Sequence, residues 1–315
     1  MKLRGRRPES GFRVTINDMK ALNFGSLNLD YVYQVDHFVA PGETLSADSQ
    51  QVNCGGKGLN QSVALARAGA EVCHAGCIGR GGEILKKILD DSGVDTTYLR
   101  EVDAIQGNAV IQVNASGENC ILLFGGSNQC ITKEQMTETM QHFDESDYLV
   151  LQNEINGLPE MVELAYERGM RIVLNPSPCD ERLGAVDFSK LSWLLVNEVE
   201  AEQISGSGDP EEAWKFLHGR YPKLSVVITL GSEGSICYTG NEKIYKAACR
   251  VKAVDTTAAG DTFTGYFVAG LMGGLPVEQC MERATIASAI SVTRAGAASS
   301  IPMCDEVDLK REWHD

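Results

Sequence analysis

Val254-Asp255-Thr256-Thr257-Ala258-Ala259-Gly260-Asp261-Thr262-Phe263 places small residues and a carboxylate where a loop enters a helix. Small side chains let backbone N–H groups converge. A helix start carries about half a positive charge on unpaired donors, which suits a phosphate or a developing anion. Downstream, Ala259, Phe263, Phe267 and Leu271 recur every four residues, which predicts a helix with one apolar face. Gly273, Gly274 and Pro276 stop it. Within this stretch Asp261 has two readings, a first-turn acid that complements the dipole or a base beside an anion site.

Working outward, apolar strand-like runs alternate with helical ones, which predicts an α/β fold built on a doubly wound, mostly parallel sheet. Tyr148–Gln152, Arg171–Asn175, Trp193–Asn197 and residues 226–230 are short and rich in Val, Leu and Ile. Between them lie amphipathic segments at 158–168, closed by Gly169, and at 211–217, opened by Pro210. The strands run out into Gln152-Asn153-Glu154, Asn175-Pro176, Asn197-Glu198 and Thr229-Leu230-Gly231-Ser232. Open α/β sheets bind ligands beyond the carboxyl ends of their strands, so these polar ends predict one common site. Residues 31–36 have β character, and 109–113 and 120–124 flank the turn sequence Asn114-Ala-Ser-Gly-Glu-Asn119. Together they predict a small β-sheet flap, with lid segments at about 30–52 and 106–125.

The chain has 315 residues, 43% of them hydrophobic, enough for one large α/β domain or two smaller ones. Its net charge of −15 argues against nucleic acid or an anionic membrane as a partner. Any phosphate site is therefore local, built from backbone dipoles, metal and a few cations. No apolar run approaches about 18 residues and no signal peptide is visible, so a cytoplasmic location is expected. Ten scattered cysteines contain no C-x-x-C pair, which leaves reduced thiols rather than a metal site or a disulfide framework. Residues 1–18 are basic and irregular, whereas Met19 reads as a natural start, so 1–18 is expected to be an extension without a catalytic role, ahead of a single domain over 19–315.

Four further clusters carry chemistry. Asn53-Cys54-Gly55-Gly56-Lys57-Gly58-Leu59-Asn60-Gln61 enters a short helix stopped by Gly69, and Lys57 and Asn60 can donate to hydroxyls. Gly58 after Lys57 excludes a Walker A loop, and the absence of G-x-G-x-x-G after a strand removes the usual dinucleotide signal. Asn28 and Asp30, two apart after the first strand, share one face of an extended chain and with Glu154 suit a polyol. Asn197-Glu198-Val199-Glu200 is either a helix cap or a contact to magnesium or phosphate. Thr229-Leu230-Gly231-Ser232-Glu233-Gly234 is either a tight turn or a nucleotide loop.

Taken in order, these segments resemble the ribokinase-like sugar kinases of the phosphofructokinase-B family, from about residue 19 to residue 302. Gly25-Ser-Leu-Asn28-Leu-Asp30, Gly55-Gly-Lys-Gly-Leu-Asn60-Gln, Leu151-Gln-Asn-Glu154, Asn197-Glu-Val-Glu200 and Asp255-Thr-Thr-Ala-Ala-Gly-Asp261-Thr-Phe carry the resemblance. It implies ATP-dependent transfer of the γ-phosphoryl group to the primary hydroxyl of a pentose, D-ribose first, with deoxyribose, a nucleoside or another furanose as alternatives. A non-catalytic sugar-binding protein on the same scaffold is the reading from another class, and it predicts damage at Asp261 or the anion hole. The resemblance gives Asp261 the role of base and Ala258, Ala259 and Gly260 that of anion hole. It gives Asn28, Asp30, Gly56, Lys57, Asn60 and Glu154 to the sugar. Asn197 and Glu200 fall to phosphate and Mg²⁺, and Thr229, Gly231, Ser232 and Gly234 to the nucleotide. It further implies a K⁺ ion at Asp255, Thr257, Ser291, Arg294, Gly296 and Ser300, and a homodimer paired through the flap. Two departures stand out: Arg80-Gly81-Gly82 replaces acidic residues, and Ala284 replaces a larger residue near the adenine.

Overall fold

A computed structural model describes residues 19–311; the extension expected at 1–18 lies outside the described residues. Along the chain run strands β1 (Lys20–Phe24), β2 (Asn28–Gln34) and β3 (Ser49–Gly55), then helix α1 (Lys57–Arg67). Next come β4 (Glu71–Arg80), α2 (Glu83–Asp91), β5 (Asp95–Ile105), β6 (Asn108–Val113) and β7 (Asn119–Phe124). The α/β alternation follows as α3 (Lys133–Met140), β8 (Tyr148–Gln152), α4 (Leu158–Glu167), β9 (Arg171–Asn175), β10 (Trp193–Asn197), α5 (Glu198–Ser205), α6 (Pro210–Arg220) and β11 (Ser225–Thr229). The hairpin β12 (Ser235–Thr239) and β13 (Glu242–Lys246) precedes α7 (Ala259–Met272), α8 (Val277–Ser291) and α9 (Cys304–Arg311).

Nine strands form one sheet in the order β13-β12-β11-β10-β9-β8-β1-β4-β5. Only the β11-β12-β13 edge is antiparallel. Alternate residues of each central strand bury on opposite faces, as a pleated strand with helices on both sides requires. Leu149, Leu151, Leu194 and Val196 join Met161, Val162, Ala201 and Leu217 in one core. Val150, Val173, Leu195 and Val227 join Leu59, Val63, Phe267 and Met281 in the other. The expected doubly wound α/β sheet is thus present. Among the described residues no helix is long and apolar enough to cross a membrane. All ten cysteines are free.

A second, four-stranded sheet has the order β3-β2-β6-β7. The hairpin expected from the Asn114–Asn119 turn is there, with Asn108 opposite Phe124 and Val113 opposite Asn119. β3 extends that sheet to Gly55, closer to α1 than the expected boundary near 52.

Helix α7 departs from its expected single apolar face. Asp261, Thr262, Phe263, Thr264, Gly265, Tyr266, Phe267 and Val268 are all buried, because α1 and α8 flank it on two sides. Gly265 allows this approach, since a Cβ there would lie 2.3 Å from the Ala64 Cβ. At the start of α1 the constraint is tighter still. A Cβ on Gly58 would sit 2.3 Å from Ser26 N and 2.5 Å from the backbone of Gly25. Backbone cannot yield as a side-chain end does, so Gly58→Ala is expected to destabilise the fold by about 1–3 kcal/mol. Thermal unfolding would show it; an unchanged melting temperature would mean that the α1 entry relaxes freely.

Candidate active site

The carboxyl ends of β9, β10 and β11 face the start of α7 across a cavity of about 230 Å³. Asn175, Asn197 and Thr229 line it from the strands, Lys57 and Glu200 from α1 and α5, and Thr256, Ala258, Ala259, Gly260 and Asp261 from the α7 entry. The polar ends of β9, β10 and β11 therefore meet at one site, while Gln152, Asn153 and Glu154 at the end of β8 are not among its lining residues.

Ala258 begins α7 at φ 61°, and among the described residues it is the only non-glycine in the left-handed region. That conformation costs an L-residue about 1–2 kcal/mol. No side chain caps the helix end. The first-turn N–H groups of Gly260 and Asp261 thus have no intrahelical acceptor and point toward the cavity end of the dipole. Ala259 does not fit the expected set of open donors, because its N–H already donates to Thr256 O at 3.2 Å. Left-handed Ala258 folds the chain back and brings that carbonyl within reach.

Asp261 sits 7% exposed with both oxygens occupied. Asn60 Nδ2 donates to its Oδ2 at 2.9 Å, and Gln61 Nε2 donates to its Oδ1 at 2.9 Å. Two amide donors from successive residues of α1 fix the plane of this carboxylate. Lys57 faces the same cavity. Burial pulls its pKa down, but Asp261, Glu154 and Glu200 outweigh that and hold the ammonium above its ordinary value.

The expected sugar residues form a connected group on the α1 side of Asp261. Glu154 Oε2 accepts from Lys57 N at 3.0 Å and from Ser26 Oγ. Asp30 packs on Gly55, where any Cβ would fall 2.1 Å from its Oδ2. Burial, reinforced by the charge of Glu154, pushes the Asp30 carboxyl up to about 7. Asn28 is buried, and its Oδ1 accepts from Asn128 Nδ2 at 2.7 Å. Asn60 Oδ1 is a buried acceptor without a partner. Gly56 is the N-cap of α1 at φ 93°.

On the other side, Asn197 and Glu200 make a reciprocal capping box: Glu200 N donates to Asn197 Oδ1 at 2.8 Å and Asn197 N to Glu200 Oε2 at 3.0 Å. The capping reading is therefore correct, and both residues also line the cavity. Thr229 reaches the cavity, whereas Gly231 and Ser232 lie exposed in a short helical turn beyond it. Gly234 is buried, with Lys246 O only 2.0 Å from where a Cβ would stand. Asp255 joins two of the expected cation positions, accepting from Thr257 N and Gly296 N, each at 2.9 Å. Burial pushes Asp255 up, but these hydrogen bonds prevail and hold it below its ordinary value. Ser291 and Ser300 are buried, their hydroxyls donating to Ser288 O and Ala297 O. The Arg294 side chain turns away to Glu306.

The two departures resolve differently. Arg80 pairs with Asp103 on an exposed surface. Ala284 is fully buried in the helical core. Helix α8 packs that face against the sheet-side core, and a small residue lets it approach. Asn128 and Ser26 were given no role from the sequence, and Asn175 was marked only as a polar strand end. Asn175 Oδ1 is a buried acceptor without a partner at the cavity wall. Its position as the last residue of a strand was the available signal; Asn128 lies in a loop without periodicity and offered none.

An uncapped helix start beside a carboxylate held by two amides is a layout for moving a phosphoryl group, and on an open α/β sheet it defines a small-molecule kinase. Comparison with known proteins narrows the class. The model of the pfkB family of carbohydrate kinases matches residues 19–304, and the chain belongs to that family. It is 38% identical over 296 residues to the ribokinase of Haemophilus influenzae, covering 90% of this chain and 95% of that one. It is 29% identical over 293 residues to the deoxyribokinase of Salmonella typhi, covering 90% and 95%. The solved structure of an Arabidopsis thaliana ribokinase complexed with ribose and ATP superposes with a TM-score of 0.83 at 26% identity, covering 93% of this chain and 98% of that one.

Proposed function

We propose that this chain transfers the γ-phosphoryl group of ATP to the 5-hydroxyl of D-ribose. The observation that carries the reading is Asp261, fixed by Asn60 and Gln61 at the first turn of an uncapped helix. In this reading Asp261 accepts the proton of the attacking hydroxyl, and the first-turn N–H groups of α7 hold the charge that builds on the transferring group. One such donor is typically worth about 3 kcal/mol. Ala258 and Gly260 shape that turn, while the Ala259 amide is already engaged and contributes through backbone position. Asp30, Asn28, Lys57, Asn60, Glu154 and the Gly56 turn serve the sugar. The unpaired Asn60 Oδ1 supports this, because a buried acceptor gains a hydroxyl donor when sugar binds. Thr229, Gly231, Ser232 and Gly234 form the nucleotide side, with Gly234 closing the turn from beneath. The greater identity to a ribokinase than to a deoxyribokinase favours ribose.

Two metal ions fit the donor chemistry. The cavity-facing oxygens of Asn197 and Glu200 are hard ligands that suit Mg²⁺, directly or through water, and Mg²⁺ neutralises phosphate charge when bound. The ionised Asp255, joined to Thr257 and Gly296, is the anionic member of a K⁺ set whose others, near Ser291, Arg294 and Ser300, would act through backbone oxygens. The small sheet serves as a lid that excludes water. Ile121, Leu122, Leu123 and Phe124 on its edge strand are exposed, Leu122 by 71%, which supports pairing of two copies there.

ATP consumption across pentoses, 2-deoxyribose, hexoses and nucleosides, each with and without K⁺, tests the proposal. Ribose should give the largest kcat/KM, and K⁺ should raise it. Faster turnover of deoxyribose or a nucleoside would reassign the substrate, and tight ribose binding without turnover would favour a non-catalytic protein.

A further inference from the structure

Behind Asp261 lies a line of fully buried polar side chains that the reaction as proposed does not use: Gln61, Gln152, Asn23, Ser62 and His74. Gln61 donates through Nε2 to Asp261, and its Oε1 accepts from Gln152 Nε2 at 2.7 Å. Gln152 Nε2 also donates to Asn23 Oδ1 at 2.9 Å. Asn23 Nδ2 donates to Gly58 O and to Ser62 Oγ, both at 2.8 Å. Ser62 Oγ lies 2.8 Å from His74 Nδ1. The line crosses α1, β8, β1 and β4, so it ties the site to the centre of the sheet.

Its polarity is fixed. Gly58 O accepts only, so the Asn23 amide is oriented with nitrogen toward α1 and oxygen toward Gln152. Gln152 must then present nitrogen to Asn23 and to Gln61, and Gln61 must present oxygen to Gln152 and nitrogen to Asp261. Ser62, already accepting from Asn23, has its own proton for His74, whose buried ring is neutral, its pKa pushed down to about 3 by burial. Amide groups carry no labile proton near neutral pH, so the line orients and does not conduct. It also leaves unpaired buried atoms, Gln152 Oε1 and His74 Nε2. An apolar residue at either place would leave no such atom, and an unmade buried hydrogen bond is destabilising. Stability alone therefore does not account for these residues.

We propose that Gln61, Gln152 and Asn23 are positioning residues that lock the Gln61 amide with its donor toward Asp261, and so keep that carboxylate aimed. The inference rests on Asp261 being the base. Lys57 from α1 and Glu200 from α5 are the other charged groups lining the cavity with Asp261, and Glu154 lies beside Lys57.

The test uses Gln152→Met, Gln61→Met and the double variant in the full chain, with kcat and ribose KM. Gln152→Met should lower kcat by about ten- to a hundredfold, the equivalent of one hydrogen bond to a charged group. Ribose KM should stay within about twofold, since the sugar-side groups are untouched. The double variant should fall no further than Gln61→Met, as expected for residues acting in series. A folded Gln152→Met with the original kcat would overturn the proposal, as would a double variant showing the product of the two losses. Should Gln152→Met fail to fold, Asn23→Val frees the Gln152 amide from behind and takes its place. The same losses are then expected, and an unchanged kcat would again overturn the proposal. Asp261→Asn separates the two readings: normal turnover there removes the base, whereas an inactive Asp261→Asn beside a normal Gln152→Met removes only the positioning line.

Discussion

Asp261→Asn is expected to lower kcat for ribose phosphorylation by about 10²–10⁴, the usual contribution of a positioned base. Ribose affinity should remain within a few fold. The replacement keeps the shape of the side chain and removes its capacity to take a proton. It also places an NH₂ group against one of two existing donors, Asn60 Nδ2 or Gln61 Nε2, each of which now donates at 2.9 Å. One of those hydrogen bonds must be lost, so a drop in stability of about 1 kcal/mol accompanies the loss of rate. The remaining activity comes from the first-turn N–H groups of α7 and from alignment of the two substrates, which the variant retains. Turnover at saturating ribose and ATP gives the rate effect, and calorimetric titration with ribose gives the affinity. Turnover near the original value would falsify the assignment of Asp261. A parallel loss of ribose binding would instead place the carboxylate among the groups that hold the sugar.

What the sequence revealed, and what it hid, follows from how each residue is buried. Strands β8 to β11 were visible because Leu, Ile and Val mark them and polar residues end them. Strand β4, GluValCysHisAlaGlyCysIleGlyArg, is buried over eight successive positions, yet Ala, Gly and Cys carry little strand preference, so it gave no signal. The glycines of the α1 entry were conspicuous, but their reason is three-dimensional: Gly58 lies against the Gly25 backbone and Gly55 against Asp30. Asp261 could be read as a base because its neighbours in sequence are small. Its partner Gln61 stood at the end of the glycine-rich motif without a role, since an amide aimed at a carboxylate 200 residues away leaves no local pattern. Gln152 was visible as a polar strand end, but its bond to Gln61 was not, and His74 was hidden for the same reason.

Asp30→Asn should weaken ribose binding by about 10- to 100-fold and yet raise the melting temperature at pH 8. Burial, with Glu154 adding to it, moves the Asp30 carboxyl from 3.8 to about 7. A carboxyl whose native pKa exceeds its unfolded pKa holds its proton more tightly when folded. Its effect on stability is therefore nil below about pH 3.8, becomes increasingly unfavourable as pH rises from there to about 7, and is fully unfavourable above that. The gap corresponds to on the order of 4 kcal/mol at pH 8. Asparagine carries no charge, so the variant escapes this penalty: its stability should exceed that of the parent at pH 8 and converge with it near pH 4. Sugar binding runs with the opposite sign, because hydroxyl donors favour the ionised form. Parent affinity for ribose should rise as pH passes through about 7, while that of the variant stays flat. Saturating ribose should then close the gap in melting temperature, since it stabilises the parent and scarcely binds the variant. Melting curves at pH 4 and pH 8, with and without ribose, measure all of this. An Asp30→Asn variant less stable than the parent at pH 8 would show that its charge is compensated within the fold, and a pH-independent parent affinity would take Asp30 out of the sugar site.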